Sequence, residues 1–405
     1  FSPRLALAYR LGSAWVTRAS YNLSFGPMLP VTYSQIRNNL PLVQRFVLQE
    51  PDLVNPLGNI DLSDPGTRVA LVRMSPDLVS PYSHQYNWTF EKRFANQYLL
   101  RFGYLGSRTF KLFHPFFTNR AEVVPGIPLT RSTIDKRRQD QRFSDIMTVV
   151  NAGMGSLDAF QVSLDVPFTR RLAWKAVYTF SKAIDTGSDY SGTAANRDLI
   201  FPRGQNQNMI LEDLKGPSDF HSPHALQFNY IYNLPNPVGS SHWSQWVLND
   251  WQISSTALLK TGTPFGLVVG SDSPGFGNVD GGSADRPTIL DPKILGMAVD
   301  HPDTAPFVLS TDRFDFIQPG EPRGTIGRNV FRKDAIRNFN LAISKQWVAN
   351  SLNEWRLVFR AEAYNLTNSP QFDAPNRNLT SASFGAITNA LNDGRILQFG
   401  LQLIF

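Results

Sequence analysis

The feature that most constrains this fold is a regular succession of short segments in which apolar and polar residues alternate. Eleven such segments are separated by connections of 3, 58, 4, 50, 3, 41, 17, 76, 6 and 30 residues, so short and long connections follow each other in turn. This rhythm is typical of an antiparallel up-and-down transmembrane β-barrel, with short turns on one side of the membrane and long loops on the other. The predicted strands cover residues 4–10, 14–25, 84–92, 97–107, 158–168, 172–182, 224–232, 250–260, 337–347, 354–364 and 395–405.

The alternation inside each segment supports strands because successive side chains of a strand point to opposite faces of the sheet. In the last segment, Phe399 and Leu401 share one face, whereas Gln398 and Gln402 share the other. The same division recurs in most segments. One face is therefore predicted to contact lipid and the other to contact water.

Aromatic residues distinguish this pattern from that of a soluble β-sandwich, which also alternates. They recur on the apolar phase at the strand ends next to the short turns, as expected of rings at a membrane–water interface. The predicted aromatic girdle comprises Tyr9, Trp15, Phe90, Tyr98, Phe168, Trp174, Tyr232, Trp251, Trp347 and Trp355.

Composition is compatible with a barrel. The chain has a mean hydropathy of −0.23, and it has no run approaching the ~20 apolar residues of a spanning helix. Barrel strands carry their apolar residues at every second position, so a low average is expected. The 405 residues contain no Cys, which excludes disulfides, thiolate chemistry and Cys-ligated metals within them.

The formal net charge of +6 raises the question of nucleic-acid binding. One dense basic cluster lies in the 50-residue connection, together with several Asp residues, and no nucleic-acid-binding motif accompanies it. We therefore predict no nucleic-acid partner and interpret the cluster as a solvated loop near anionic lipid head groups. Its residues are Arg131, Lys136, Arg137, Arg138 and Arg142.

Two other motifs contain residue types found in catalytic or metal sites. His221 and His224 lie three residues apart, without further ligands at a suitable spacing. The run SDSPGFGNVDGGSAD contains Asp272, Asp280 and Asp285 but lacks the ordered spacing of a calcium loop, so we interpret it as a Gly- and Asp-rich turn. The sequence thus predicts no catalytic residues, no metal site and no cofactor, and the protein is not expected to be an enzyme.

The beginning of the chain suggests that it is part of a longer protein. Residues 1–20 lack the pattern of a secretory signal, and FSPRLALAYRL is already in strand phase. Eleven is also an odd number, whereas bacterial single-chain barrels have even strand counts. Residues 1–405 are therefore expected to form the C-terminal part of a single outer-membrane β-barrel domain, with the signal peptide and other N-terminal parts upstream.

Several strings resemble one known family. They include FSPRLALAYRL, SHQYNWTFEKRFANQYLLRFGYLGSRTFKL, LDAFQVSLDVPFTRRLAWKAVYTFSKAID, WRLVFRAEAYNLTNSPQFDAPN and RILQFGLQLIF. Together they resemble TonB-dependent outer-membrane receptors of Gram-negative bacteria, in particular the Oar-like branch with a carboxypeptidase-regulatory-like N-terminal domain. The resemblance covers nearly all of the chain and is strongest in its last 75 residues.

The resemblance implies a 22-stranded barrel plugged by an N-terminal domain and driven by the inner-membrane TonB complex. Eleven strands are half of such a barrel, so the plug and the TonB-contacting segment are expected outside these residues. The resemblance also implies a C-terminal signal read by the outer-membrane barrel assembly machinery. Its residues would be Phe399, Leu401, Leu403 and Phe405.

The polar face of the predicted strands carries several charged residues. Their excess of positive charge would favour either an anionic solute or an acidic plug surface, and we prefer contact with the plug. These lumen-facing candidates are Arg18, Arg101, Lys175, Arg356, Arg360 and Glu362.

The sequence therefore predicts an outer-membrane receptor and transporter that binds an unknown ligand with its extracellular loops. One alternative is an outer-membrane barrel that binds, adheres or assists secretion without transport, since fold does not determine function. A second alternative is a soluble extracellular β-protein that binds carbohydrate.

Overall fold

A computed structural model gives the fold of residues 1–28, 35–39, 54–55, 70–95, 97–188, 204–236, 242–270, 272, 279–280, 285–318, 321–348 and 355–405. Much of the predicted 58-residue connection, most of the run 271–284 and position 354 of the predicted tenth strand lie outside these described residues.

β-Strands dominate the described part of the chain. In chain order they are β1 (Arg4–Leu11), β2 (Trp15–Phe25), β3 (Leu71–Met74), β4 (Tyr82–Phe94), β5 (Tyr98–Thr118), β6 (Ile146–Thr169), β7 (Leu172–Asp185), β8 (Gly216–Pro217), β9 (His224–Asn233), β10 (Trp251–Lys260), β11 (Pro264–Phe265), β12 (Thr288–Ile289), β13 (Phe314–Asp315), β14 (Phe331–Arg332), β15 (Ile336–Val348), β16 (Arg356–Tyr364) and β17 (Ile396–Ile404).

The helical elements are short. They are the α-helices Ile210–Leu214, His242–Leu248 and Ala305–Val308 and the 3₁₀ helices Gln35–Asn38, Arg131–Arg137, Pro292–Ile294 and Thr311–Arg313. Among the described residues, none of the helices combines the length and apolar character needed to cross a membrane.

Eleven strands form one continuous antiparallel sheet, in the order β1-β2-β4-β5-β6-β7-β9-β10-β15-β16-β17. These are the eleven strands that the sequence predicts, here called the wall strands. Each wall strand pairs with the next wall strand along the chain. The up-and-down antiparallel prediction is therefore confirmed. The sheet is open: in the part of the chain that the structure describes, β1 and β17 each pair with a single neighbouring strand.

The central strands are longer than predicted. β5 continues to Thr118 and β6 starts at Ile146, so the predicted 50-residue connection is reduced to residues 119–145. The short strand β3 adds parallel pairing to the start of β6. Alternation of polarity is required only where one face meets lipid, and the hydrogen-bonded ladder extends beyond that zone. The boundaries predicted for this connection were therefore wrong.

One cluster of buried hydrophobic side chains lies in the connections, outside the strands of the wall. Its buried side chains come from the connection between β10 and β15 and from residues 365–395, and we call this unit the loop domain. The core residues are Phe265, Leu267, Ile294, Val299, Ala305, Leu309, Phe314, Ile326, Phe331 and Leu379. The backbone joins the two connections directly, because the Val268 N–H donates to the Arg377 carbonyl at 3.0 Å and the Leu379 N–H donates to the Val268 carbonyl at 2.9 Å.

The orientation in the membrane can be tested with single cysteines, since the 405 residues contain none. We expect Asp303→Cys, an exposed position in the loop domain, to react with a membrane-impermeant maleimide on intact cells. Arg170→Cys, in the turn between β6 and β7, should react only after the outer membrane is opened. Labelling of Arg170→Cys but not Asp303→Cys on intact cells would reverse the orientation. Asp280 is unsuitable as a probe because it is buried.

Candidate functional site

The register of the sheet places the predicted girdle on one face. Directly opposed residues of antiparallel strands share a face, and the pairs Leu11–Trp15 and Phe94–Tyr98 close two of the turns. Trp174 pairs with Tyr230, whose ring neighbour is Phe228. The aromatic residues therefore lie on the apolar face at the end of the sheet that carries the short turns, here called the turn end.

Phe168 is the exception to this regular placement. The pairing of β6 with β7 shifts by one residue between Val166 and Thr169, which is a β-bulge. Strict alternation therefore does not extend through Phe168, although its side chain is exposed at the same end of the sheet. The role of the girdle as a membrane anchor remains a prediction.

Two lysines also lie on the apolar face, next to girdle rings. The Lys92 ammonium lies 4.7 Å from the centre of the Trp15 ring, and Lys345 lies 5.5 Å from Trp251 and 5.1 Å from Trp347. Lys345 is buried and donates to the Asn249 carbonyl. Ammonium groups over Trp faces gain cation–π attraction. Strand periodicity alone did not anticipate a charge at Lys345.

The helix His242–Leu248 covers this region from the connection between β9 and β10. The Trp246 ring centre lies 5.6 Å from that of Trp347, and the Trp347 indole N–H donates to the Trp246 carbonyl at 3.0 Å. Trp243 and Trp246 are both exposed. This helix therefore extends the aromatic band, and the sequence prediction missed it because the segment lies between strands.

The last strand carries the predicted assembly signal on the same face. Phe399 pairs with Ala361, Leu401 with Phe359, and Leu403 with Leu357. Phe399, Leu401, Leu403 and Phe405 are all strongly exposed in the structure.

The predicted lumen-facing residues share the opposite face. Arg101 donates to the Glu91 carboxylate at 2.8 Å, and Arg18 approaches the same carboxylate at 3.6 Å. Glu91 was missed by the sequence prediction, although its phase places it among these residues. A single carboxylate thus balances part of two positive charges.

Other charged residues on this polar face, here called the inner face, are also paired. Arg360 lies 2.7 Å from Glu362, and Lys175 lies 3.9 Å from Asp165. No ion pair links Arg356 to another described residue of the chain. The positive excess on this face is therefore smaller than the sequence alone suggests. A cavity of about 720 Å³ opens at the turn end, and its lining includes Arg171, Asp250, Gln252, Gln346 and Arg360.

The basic cluster in the connection between β5 and β6 is not a solvated loop throughout. Arg137 and Arg138 are buried, whereas Arg142 is exposed and paired with Asp140. Arg137 donates to the carbonyls of Glu122 and Val279, and Arg138 donates to the carbonyls of Asn119 and Ser144. These contacts fold the connection onto the loop domain. The interpretation of this cluster as solvated was wrong for its two buried members, because backbone carbonyls replace water around their guanidinium groups.

Another buried arginine, Arg286, joins two connections, the one between β7 and β9 and the one between β10 and β15. The Arg286 guanidinium donates to an Asp213 carboxylate oxygen at 3.0 Å, and Arg323 donates to the same oxygen at 2.9 Å. Gln205 accepts hydrogen bonds from the N–H groups of Arg286 and Gly324, at 2.7 and 3.2 Å. The connection between β7 and β9 is thereby fixed to the loop domain. Buried charges of this kind are tolerated because each has a charged or hydrogen-bonded partner.

The three aspartates of the Gly- and Asp-rich run come together in the same region. Asp272, Asp280 and Asp285 are buried, and one carboxylate oxygen of each lies within 4.8 Å of the others. Arg120 donates to Asp280 at 3.0 Å. Burial, together with the nearby Asp280 carboxylate, raises the pKa of Asp285 well above its usual range. Interpretation of the run as a turn did not anticipate this convergence, because spacing along the chain does not report how a loop folds back.

A polar cavity of about 550 Å³ lies between the two connections of the loop domain. Its lining includes Lys333, Asp373, Asn376, Asn378 and Asn389. The Lys333 ammonium donates to the Asp373 carboxylate at 2.8 Å. Amide groups and one ion pair offer both donors and acceptors to a polar ligand.

The two histidines do not share a site with these groups. The His224 ring contacts the Tyr178 hydroxyl at 2.7 Å at the start of β9. His221 is buried, and its Nδ1 accepts a hydrogen bond from the Ala183 N–H at 3.2 Å. Both therefore serve as polar contacts where the strand begins.

Comparison with known proteins gives a family match and distant structural neighbours. The family model described as the outer membrane beta barrel domain matches residues 1–398. No curated protein matches the chain. The outer membrane transporter YddB from Escherichia coli is similar over 96% of this chain and 38% of that one, at 11% identity and a TM-score of 0.49.

Two further solved structures are similar at comparable levels. FpvA from P. aeruginosa, bound to a heterologous pyoverdine, is covered over 32% of its length by 98% of this chain, with 11% identity and a TM-score of 0.44. The FrpB iron transporter from Neisseria meningitidis is covered over 38% of its length by 99% of this chain, with 10% identity and a TM-score of 0.43. The chain spans less than two fifths of each of these proteins.

Proposed function

The chain belongs to the outer membrane beta barrel domain family, and from this membership we propose that it is part of a receptor and transporter. The protein is located in the outer membrane of a Gram-negative bacterium. In the proposed function, the extracellular loops bind a ligand, and the ligand passes through a plugged barrel with energy from the TonB complex. The soluble carbohydrate-binding alternative is set aside because the family is one of membrane barrels.

The observation that carries this proposal is the loop domain. Its connections have a hydrophobic core of their own and are fixed by the buried Arg120, Arg286 and Arg328. Arg328 donates to the Asp185 carboxylate at the end of β7. A binding surface held in one conformation loses less conformational entropy when a ligand binds. The polar cavity between the connections offers hydrogen-bonding groups to such a ligand.

The proposal extends to the parts expected outside these residues. We place the chain in the Oar-like branch, as the C-terminal half of a 22-stranded barrel, with the plug and TonB-contacting segment upstream. Within the described residues, β1 and β17 each have one unpaired edge, and this supports a larger barrel because unpaired backbone groups in hydrocarbon cost several kcal/mol each. Assembly would use the machinery that reads the C-terminal strand.

Within that barrel, the inner face is proposed to contact the plug. The pairs around Glu91 and Glu362 already neutralise Arg101 and Arg360, and they therefore favour a structured wall over a binding site for anionic solutes. Arg356, which has no ion pair with the described residues, is proposed to contact an acidic group of the plug.

A medium-depletion experiment tests transport against the alternative of binding, adhesion or assisted secretion. Cells with and without the full-length gene are grown in one medium, and solute depletion is measured by mass spectrometry with and without a protonophore. We expect at least one solute whose depletion requires both the gene and an energised membrane. Gene-dependent binding that is unaffected by the protonophore would favour the non-transporting alternative. No gene-dependent change in any solute would contradict transport.

A further inference from the structure

We propose that Asp272, Asp280 and Asp285, here called the aspartate cluster, form a calcium-binding site inside the loop domain. The site would join the connection between β5 and β6 to the connection between β10 and β15. This inference is independent of the ligand and of the transport mechanism proposed above.

The backbone fixes two of the three aspartates before any ion binds. The Ala121 N–H donates to the Asp280 carbonyl at 2.9 Å, and the Val269 N–H donates to the Asp285 carbonyl at 2.7 Å. The Asp280 N–H donates to a carboxylate oxygen of Asp272 at 3.0 Å. The carboxylates therefore converge because separate stretches of backbone hold them in place.

Their separation suits a single ion. One oxygen from each carboxylate lies within 4.8 Å of the others. An ion between such oxygens can reach all three at Ca–O distances of about 2.3–2.6 Å after small side-chain rotations. The shorter bonds that Mg²⁺ requires, about 2.0–2.1 Å, and its strict octahedral geometry fit this spacing less well.

Asp285 is the observation that points to a ligand and not only to an acidic cluster. Its side chain is fully buried, and neither of its carboxylate oxygens accepts a hydrogen bond from the residues that the structure describes. The Arg120 guanidinium forms an ion pair with Asp285, but its Nη1 lies 3.6 Å from the carboxylate Oδ1, beyond hydrogen-bond distance. A buried carboxylate without a hydrogen-bond donor is strongly destabilising unless an ion or another partner compensates for the lost hydration.

Arg120 does not replace such an ion. Its guanidinium also donates to the carbonyls of Gln205 and Gly204, both at 2.7 Å, and to Asp280 at 3.0 Å. One arginine is thus shared between two carboxylates and two carbonyls. Because each carboxylate has two oxygens, Arg120 can donate to one oxygen of Asp280 while the other oxygen binds the ion.

Both the ligand chemistry of the cluster and the proposed extracellular location of the loop domain favour calcium. The cluster offers only carboxylate oxygens, which suit hard cations, and it contains no imidazole or thiolate. A cavity of about 240 Å³ reaches the cluster from the surface, and its lining includes Arg120, Asp280, Glu122, Gln207 and Glu321. Calcium sites of extracellular modules commonly have dissociation constants of about 10⁻⁴–10⁻³ M.

Isothermal titration calorimetry with CaCl₂ tests the proposal on the full-length protein, refolded without lipopolysaccharide because lipopolysaccharide binds divalent cations itself. We expect one saturable calcium site per chain. Asp285→Asn keeps the size of the side chain but removes its charge, and it should raise the half-saturating calcium concentration at least about tenfold. Asp303→Asn, which removes an exposed carboxylate of the same loop domain, is the matched control and should bind as the wild type does.

Limited proteolysis in EDTA separates loss of binding from loss of folding. Asp285→Asn should be at least as protease-resistant in EDTA as the wild type, because the substitution removes a buried carboxyl group for which the described residues supply no hydrogen-bond donor. Calcium should slow cleavage of the wild type but not of Asp285→Asn. Absence of saturable binding by the wild type, or equal binding by Asp285→Asn, would overturn the site. Equal or tighter binding of Mg²⁺ at the same residues would overturn its assignment to calcium.

Discussion

Leu164→Arg should destabilise the folded barrel by about 2–4 kcal/mol, the usual cost of an arginine on the lipid face near the middle of the bilayer. Leu164 pairs with Leu100 on β5 and with Ala176 on β7, so all of its neighbours across the strands are apolar. No acidic residue lies directly opposite this position to pair with an arginine placed there. Equilibrium unfolding in lipid vesicles, followed by tryptophan fluorescence, measures the change in the free energy of unfolding.

Gln161→Arg is the matched control for this substitution. Gln161 lies three residues away on the same strand but faces inward, between Gly103 and Thr179. Its replacement should change the free energy of unfolding by less than about 0.5 kcal/mol, as for a solvated position. Leu401→Arg and Gln402→Arg repeat the comparison on β17. If both faces respond equally, the assignment of the lipid face is wrong.

Strand periodicity predicts the wall well because its physical cause is local. A strand between lipid and water must alternate along its own sequence, so residues such as Phe359 and Arg360 reveal their faces without knowledge of their neighbours. The pairing of Phe359 with Leu401 then follows from the order of the strands. The eleven wall strands and their order were predictable for this reason.

The same reasoning fails where the lipid constraint ends. Beyond Thr109 the pairing of β5 with β6 shifts register, and Lys111 adopts a positive φ of 58°. The strand continues through such irregularities because backbone hydrogen bonds, and not an apolar face, hold it there. Sequence alternation therefore placed the end of β5 too early.

The loop domain was not predictable because its contacts are distant in sequence. Phe265 and Phe331 have ring centres 5.8 Å apart, although they are separated by much of one long connection. No short period marks such a core. The same holds for Glu91 beside Arg18 and for the aspartate cluster, where only the folded chain shows which charges meet.

Phe331→Ala should lower the stability of the loop domain by about 3–5 kcal/mol, the usual cost of removing a fully buried phenylalanine ring. Phe331 is completely inaccessible to solvent, and its ring centre lies 5.8 Å from that of Phe265 and 6.3 Å from that of Phe314. Truncation would leave a cavity at the centre of this core. The measurement is the rate of proteolysis within the loop domain under native conditions, which reports the free energy of local opening.

Phe307→Ala is the control, since Phe307 lies in the same connection but is 73% exposed. It should leave the rate of proteolysis nearly unchanged. The wall strands do not contain Phe331, so the barrel of Phe331→Ala should still show heat-modifiable migration in gels. If the loop domain is the capture surface, this variant should lose gene-dependent depletion of the medium solute while its barrel stays folded. Full depletion of the solute by Phe331→Ala, together with faster proteolysis of its loop domain, would contradict the proposal. Ligand capture would then not require the core that holds the connections together.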